Sequence, residues 1–189
     1  MWLFSKLFYD LRDDFIKRAE KAGVKKMLCC GTCEDDWDGV RILSEKYESI
    51  IPAIGIHPWF IDSCSREWSK RMECILRETN FAVGEIGLDF LIKNINKKKQ
   101  EDIFISQLRL AKKYKRPTSV HCRNAWLRLI EILKAEDLFE YGVVIHSYSG
   151  SSETVKVLEK LGCYISFSGS VTKKSNKKVK RSVIQVSDD

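Results

Sequence analysis

The sequence predicts an α/β fold in which helices wrap a parallel sheet of about six strands, and three observations carry that expectation. Short apolar runs alternate along the chain with stretches of helical periodicity, the pattern of right-handed βαβ crossovers. Each of the three histidines, His57, His121 and His146, ends one apolar run, and Glu85 ends a fourth. An open doubly wound sheet gathers its chemistry at one switch point. Four ligand-bearing strand ends converge instead around the mouth of a (β/α) barrel, which is therefore the expected form.

The elements follow in order. Residues 10–22 place Leu11, Phe15, Ala19 and Ala22 on one helical stripe that Gly23 stops, and KKMLCCGT (25–32) reads as the first strand. A polar helix over 34–47 leads to IIPAIGIHP (50–58), the strand ending at His57, and a helix over 66–79 leads to FAVGEIGLD (81–89) with Glu85. Residues 97–115 form the longest helix, with Phe104, Leu108, Ala111 and Tyr114 inward, and Pro117 opens the strand that carries His121. Helix 124–135 turns Trp126, Leu129, Ile130 and Leu133 to the core before GVVIHSYSG (142–150) delivers His146. Helix 152–161 stops at Gly162, strand 163–169 follows, and Ser175 is the expected N-cap of a last helix carrying Val179, Val183 and Val186.

A chain of 189 residues that is 44% hydrophobic can bury one sizeable core, and no linker-like stretch divides it, so residues 1–189 are expected to form a single domain. No apolar run reaches the ~20 residues of a membrane helix, and MWLFSKLFYDLR lacks a cleavage site. Seven scattered cysteines without a secretory signal point to reduced thiols and a cytoplasmic location, or a nuclear one in a eukaryote. Cys30-Gly-Thr-Cys33 has redox-motif spacing, but no second pair follows, and a buried strand-end thiol is the preferred reading. The net charge of +7 gathers at Lys97–Lys99, Lys112–Arg116 and Lys173–Arg181, which suits a polyanionic partner, although solvated helix faces account for such runs equally well.

Imidazole and carboxylate are the ligand set of Zn²⁺ and other first-row dications, and a carboxylate can bridge two ions. By the two-residue period of a strand, Glu85 shares a face with Gly87 and Asp89, His121 with Arg123, and His146 with Tyr148. Gly84 and Gly87 leave room for close approach of a ligand or a neighbouring strand. Arg123 is placed to clamp a phosphate with its forked guanidinium.

GIHPW (55–59), GEIGLD (84–89), Q-x-x-x-F-x-x-Q-L-x-L-A (100–111), P-x-x-V-H-x-R-x-A (117–125), H-S-Y-S-G-S (146–151) and GCYISFSGSVT (162–172) together resemble the TatD family of metal-dependent hydrolases. The resemblance spans nearly the whole chain, with motif order and spacing in agreement. It implies a TIM barrel of the amidohydrolase type and hydrolysis of DNA by a metal-activated water, with a divalent Mg, Zn or Mn ion. By the same match, Glu85 contacts the metals, His121 and His146 complete one metal site, and His57 stands among the active-site residues near the phosphate.

Two segments depart from the family pattern. Residues 1–9, MWLFSKLFY, stand where a first strand bearing D-x-H-x-H is expected, and the chain stops at VSDD before a T-D-x-P strand, so that Asp188 and Asp189 are not expected to supply its aspartate. About six of eight βα units are therefore expected, with one contiguous breach whose exposed sheet edges favour self-association. The remaining ligands, Glu85, His121 and His146, suffice for one ion with open positions for water. An inactive partner-binding fragment and a hydrolase of small esters or amides are the competing readings.

Overall fold

Every strand expected from the sequence forms, and all pair in parallel in chain order. The computed structural model describes residues 11–187. The expectations placed on residues 1–9 and on Asp188 and Asp189 lie outside the described residues. The elements are α1 (Arg12–Lys21), β1 (Met27–Cys30), α2 (Glu34–Lys46), β2 (Ile50–Ile54), α3 (Trp68–Glu78), β3 (Ala82–Asp89) and α4 (Lys97–Lys113). They continue with β4 (Thr118–Arg123), α5 (Trp126–Glu136), β5 (Val143–Ile145), α6 (Ser152–Lys160), β6 (Cys163–Ile165) and α7 (Lys177–Gln185). The result is an incomplete TIM barrel. Among the described residues the barrel does not close, and β1 and β6 are the sheet's edges. No helix of the described residues is long and apolar enough to cross a membrane.

Strand β3 is the axis of the sheet, buried along its whole length. Its register against β4 shifts between Val83 and Ile86, then runs evenly from Ile86↔Val120 to Asp89↔Arg123. The glycines there serve the neighbouring strand. A Cβ on Gly87, whose φ is 144°, would lie 2.0 Å from the His121 carbonyl oxygen, and one on Gly84 would lie 2.7 Å from Ser119 Cβ. Only glycine lets the two backbones meet at this point.

Helix ends are set locally. Asn96 accepts from Lys99 N–H to open α4, and Ser151 accepts from Thr154 N–H to open α6. Gly23 and Gly162, both with φ near the left-handed region, end α1 and α6 as their sequence positions imply. The cap of α7 is Asn176, whose side chain accepts from Val179 N–H, and not Ser175 one residue earlier. The inward residue of α1 is Ile16, fully buried against β1 and α2, whereas Leu11 of the expected stripe is 48% exposed. A small cluster of Ile16, Met27, Cys29, Val40, Leu43 and Ile50 receives this helix, with Ala19 of the expected stripe packed against it.

Beyond β2 the backbone leaves the ladder, and two buried glutamines of α4 take over its hydrogen bonds. Gln107 accepts from Ile56 N–H at 2.6 Å and donates to Ile56 C=O at 3.2 Å. Gln100 accepts from Asp89 N–H at 2.9 Å and donates to Pro58 C=O at 3.3 Å. Trp37 donates to Gly55 C=O, and His57 N–H donates to Thr32 C=O. Residues 55–58 are thus fixed without being strand. Gln107→Leu leaves a buried N–H and C=O unsatisfied and is expected to cost about 2–4 kcal/mol. The midpoint of urea unfolding checks it.

Candidate active site at the strand ends

The sequence-chosen side chains meet toward the carboxyl ends of β3, β4 and β5, although Glu85 stands in the middle of β3 and not at its end. His121 is the centre: its Nδ1 lies 3.1 Å from Glu85 Oε1 and its Nε2 lies 3.2 Å from Asp89 Oδ2. Glu85 and Asp89 reach the same ring because they share one face of β3, as the period of two requires. Arg123 follows His121 on its own face of β4 and approaches Asp89 Oδ2 at 3.4 Å. A cavity of about 340 Å³ opens here, lined by Glu85, His121, Arg123 and His146 together with Trp59 and Ser147.

Asp89, which the sequence placed on Glu85's face without a role, is fully buried. Besides His121 and Arg123 it receives Trp59 Nε1–H at 2.8 Å on Oδ2 and Leu91 N–H at 3.1 Å on Oδ1. Burial pushes its carboxyl up, but the Trp59, Leu91 and His121 donors outweigh it and hold the group below the usual aspartate range. The His121 ring thus stands between two carboxylates, Glu85 at Nδ1 and Asp89 at Nε2.

His57 stands one layer deeper than its motif suggested. Strand β2 ends three residues before it, and the ring is fully buried behind His121, centroids 4.5 Å apart, and Trp59, centroids 5.3 Å apart. It does not line the cavity. Burial first, and His121 second, push its pKa down to about 3 against the pull of Glu85 and Asp89, so the ring is neutral. Its Nδ1 accepts from Trp59 N–H at 3.2 Å, which leaves the proton on Nε2, 3.8 Å from Glu85 Oε1.

His146 follows the last residue of β5 and is held by its own N–H to Val120 C=O. Its Nδ1 lies 3.5 Å from Ser166 Oγ, and burial lowers its pKa. The expected face shared with Tyr148 does not form. Ser147 turns the chain with φ 51°, which sends Tyr148 into the core against Trp126 and Phe167 and leaves Ser147 and Ser149 on the cavity wall. A period of two holds only while the strand lasts.

The donor set fits a divalent cation. Ligand atoms of His57, Glu85 and His121 all lie within 4.8 Å of one another, one carboxylate and two imidazoles in a buried setting, while His146 faces the same cavity from outside that trio. Trp59 was the residue least visible beforehand. It lay in the GIHPW motif, yet its indole bond to Asp89 depends on the path of the loop after β2. Of the C-x-x-C pair, Cys30 is buried at the end of β1 and Cys33 is half-buried.

Comparison with known proteins adds four findings. The sequence matches the family described as TatD related DNase over residues 3–189. It is 34% identical over 176 residues to an uncharacterized metal-dependent hydrolase of Buchnera aphidicola, covering 87% of this chain and 65% of that protein. It is 31% identical over 159 residues to the 3'-5' ssDNA/RNA exonuclease TatD of Cronobacter sakazakii, covering 84% of this chain and 60% of that one. The chain therefore spans under two thirds of these relatives' length. In three dimensions, YjjV, a TatD homologue from Escherichia coli K12, superposes with a TM-score of 0.92 at 28% identity, covering 98% of this chain and 72% of that one.

Burial pushes the Cys30, Cys122 and Cys163 thiols up to about 12, and the thiolate is the reactive form. Iodoacetamide at neutral pH is expected to label exposed Cys74 in the native protein and to reach these three only after unfolding, as peptide mass spectrometry will read.

Proposed function

The chain belongs to the TatD-related DNase family, and on that footing we propose that it serves a metal-dependent hydrolase cleaving phosphodiester bonds of DNA. The observation that carries the reading is the convergence of Glu85, His121 and His146 on one cavity beside Arg123. Glu85, His121 and His146 hold the ion in this reading, His146 from the cavity side, outside the tight trio that Glu85 and His121 form with His57. A divalent ion held there would supply Lewis acidity and activate water.

The chain's own residues do the rest. Asp89 holds the His121 ring at Nε2 and so keeps its Nδ1 on the Glu85 side. His57, neutral and buried, presents Nε2–H toward Glu85 and acts by positioning that carboxylate, with the phosphate one layer above it. Arg123, its side chain 45% exposed, offers its remaining guanidinium donors to phosphate oxygens at the mouth. Ser147 and Ser149 add hydroxyl donors to the opposite wall.

Glu85→Ala and His121→Ala are each expected to lower metal content and cleavage of a DNA oligonucleotide by more than the roughly 10–100-fold that outer partners cost. Metal analysis and a gel assay read both quantities, and unchanged values in both variants would sink the assignment. Arg123→Lys loses forked recognition and is expected to raise KM about tenfold with little change in kcat.

A further inference from the structure

Of the three basic clusters, the structure leaves one free to act. In Lys112–Arg116, Lys112 donates to Glu136 C=O, Lys113 pairs with Glu73, and Arg116 donates to Asn80, Leu76 and Thr79. That cluster ends α4, at the far side of the sheet from the cavity. In Lys97–Lys99, Lys98 pairs with Asp102, Lys99 pairs with Asp62 at 2.8 Å, and Lys97 lies over the Phe90 ring.

The third cluster differs. Between Cys163 and Ser187 the sequence holds six cations, Lys173, Lys174, Lys177, Lys178, Lys180 and Arg181, and no acidic residue. Among the described residues none of the six forms an ion pair, and all but half-buried Lys180 are exposed. Six like charges in nine residues repel one another, a cost that a polyanion removes.

The segment is also tied to the cavity wall. Ser166, just past β6, accepts Tyr148 N–H at 2.8 Å on its carbonyl and Ser147 N–H at 3.1 Å on its hydroxyl. The buried Ser182 of α7 donates to Gly150 C=O at 3.3 Å. Val179 and Ser182 turn inward, so the helix docks by that face against the loop whose Ser147 and Ser149 line the cavity. Asn176 ties Lys173–Lys177 back to Ser170.

We propose that the Lys173–Arg181 segment is a docking surface for the phosphate backbone of a single-stranded nucleic acid, holding the stretch next to the phosphodiester in the cavity. The proposal rests on the nuclease reading but is tested apart from it, by binding without metal. A single strand fits because its flexible backbone can follow a rim from cavity to helix, with contacts that are electrostatic and indifferent to sequence.

The test measures fluorescence anisotropy of a labelled single-stranded oligonucleotide in EDTA across a NaCl series. A variant carrying Lys173→Gln, Lys174→Gln, Lys177→Gln and Lys178→Gln is compared with one carrying Lys17→Gln, Lys21→Gln, Lys25→Gln and Lys134→Gln. The two lose the same charge. The first is expected to bind about tenfold or more weakly at low salt, with a salt slope shallower by about 3, roughly 0.7 for each phosphate no longer neutralised; the second stays within about twofold of wild type. Equal losses in both variants, or none in the first, overturn the proposal. So does unchanged oligonucleotide affinity with lost binding to phosphatidylserine vesicles, which assigns the segment to a membrane surface. The double variant Lys173→Gln, Lys174→Gln, outside the helix, gives about half the effect and guards against misfolding. A wild-type protein that binds as expected but cleaves no DNA when loaded with metal refutes the nuclease reading alone.

Discussion

The architecture of the site depends on hydrogen bonds that α4 makes to backbone no strand can reach. Strand β2 is short, and the chain must still run from Ile54 to Trp59 through the interior, where each unpaired N–H and C=O is costly. A glutamine side chain has both an acceptor and donors, so one residue satisfies both groups of Ile56 as a neighbouring strand would. Gln100, seven residues earlier and two turns along the same face, binds Pro58 and Asp89 together. Through that one side chain the loop carrying His57 and Trp59 and the end of the strand carrying Glu85 are registered against a single rigid element.

On that frame the electrostatics are organised around a buried carboxylate. Asp89 is kept ionised by converging donors, and it in turn holds the His121 ring in place at Nε2. Each group therefore fixes the next one outward, from Asp89 to His121 and from Trp59 to His57 and Glu85. Pre-organisation of this kind spares the site from reorganising when charge arrives.

The fold was legible because alternation of apolar runs and helical stripes survives any detail of packing, and the gathering of Glu85, His121 and His146 at one cavity was legible because histidine is scarce here and each copy closes such a run in the sequence. Asp89 could be placed on the right face by period alone, but its role needed Trp59 and Leu91, which approach from loops. Tyr148 shows where the rule stops, since one left-handed residue at Ser147 exchanges inside for outside. The depth of His57 was hidden for a similar reason: its position is set by glutamines about forty to fifty residues away. At α1 the stripe included Ala19 but missed Ile16, one residue past Phe15, because the helix docks on a small cluster with little periodic demand.

The close approach of Gly87 to the His121 carbonyl has a consequence for how such a site changes over generations. No side chain can enter there, and no slip of β3 along β4 can occur without breaking the ladder on both sides of it. Glu85, Asp89, His121 and Arg123 are thereby inherited as one block whose mutual spacing is not open to gradual adjustment. Diversification is left to the loops that leave the strand ends, where Trp59, Ser147 and Ser149 stand, and new substrates would be acquired by redrawing the rim around chemistry that stays the same.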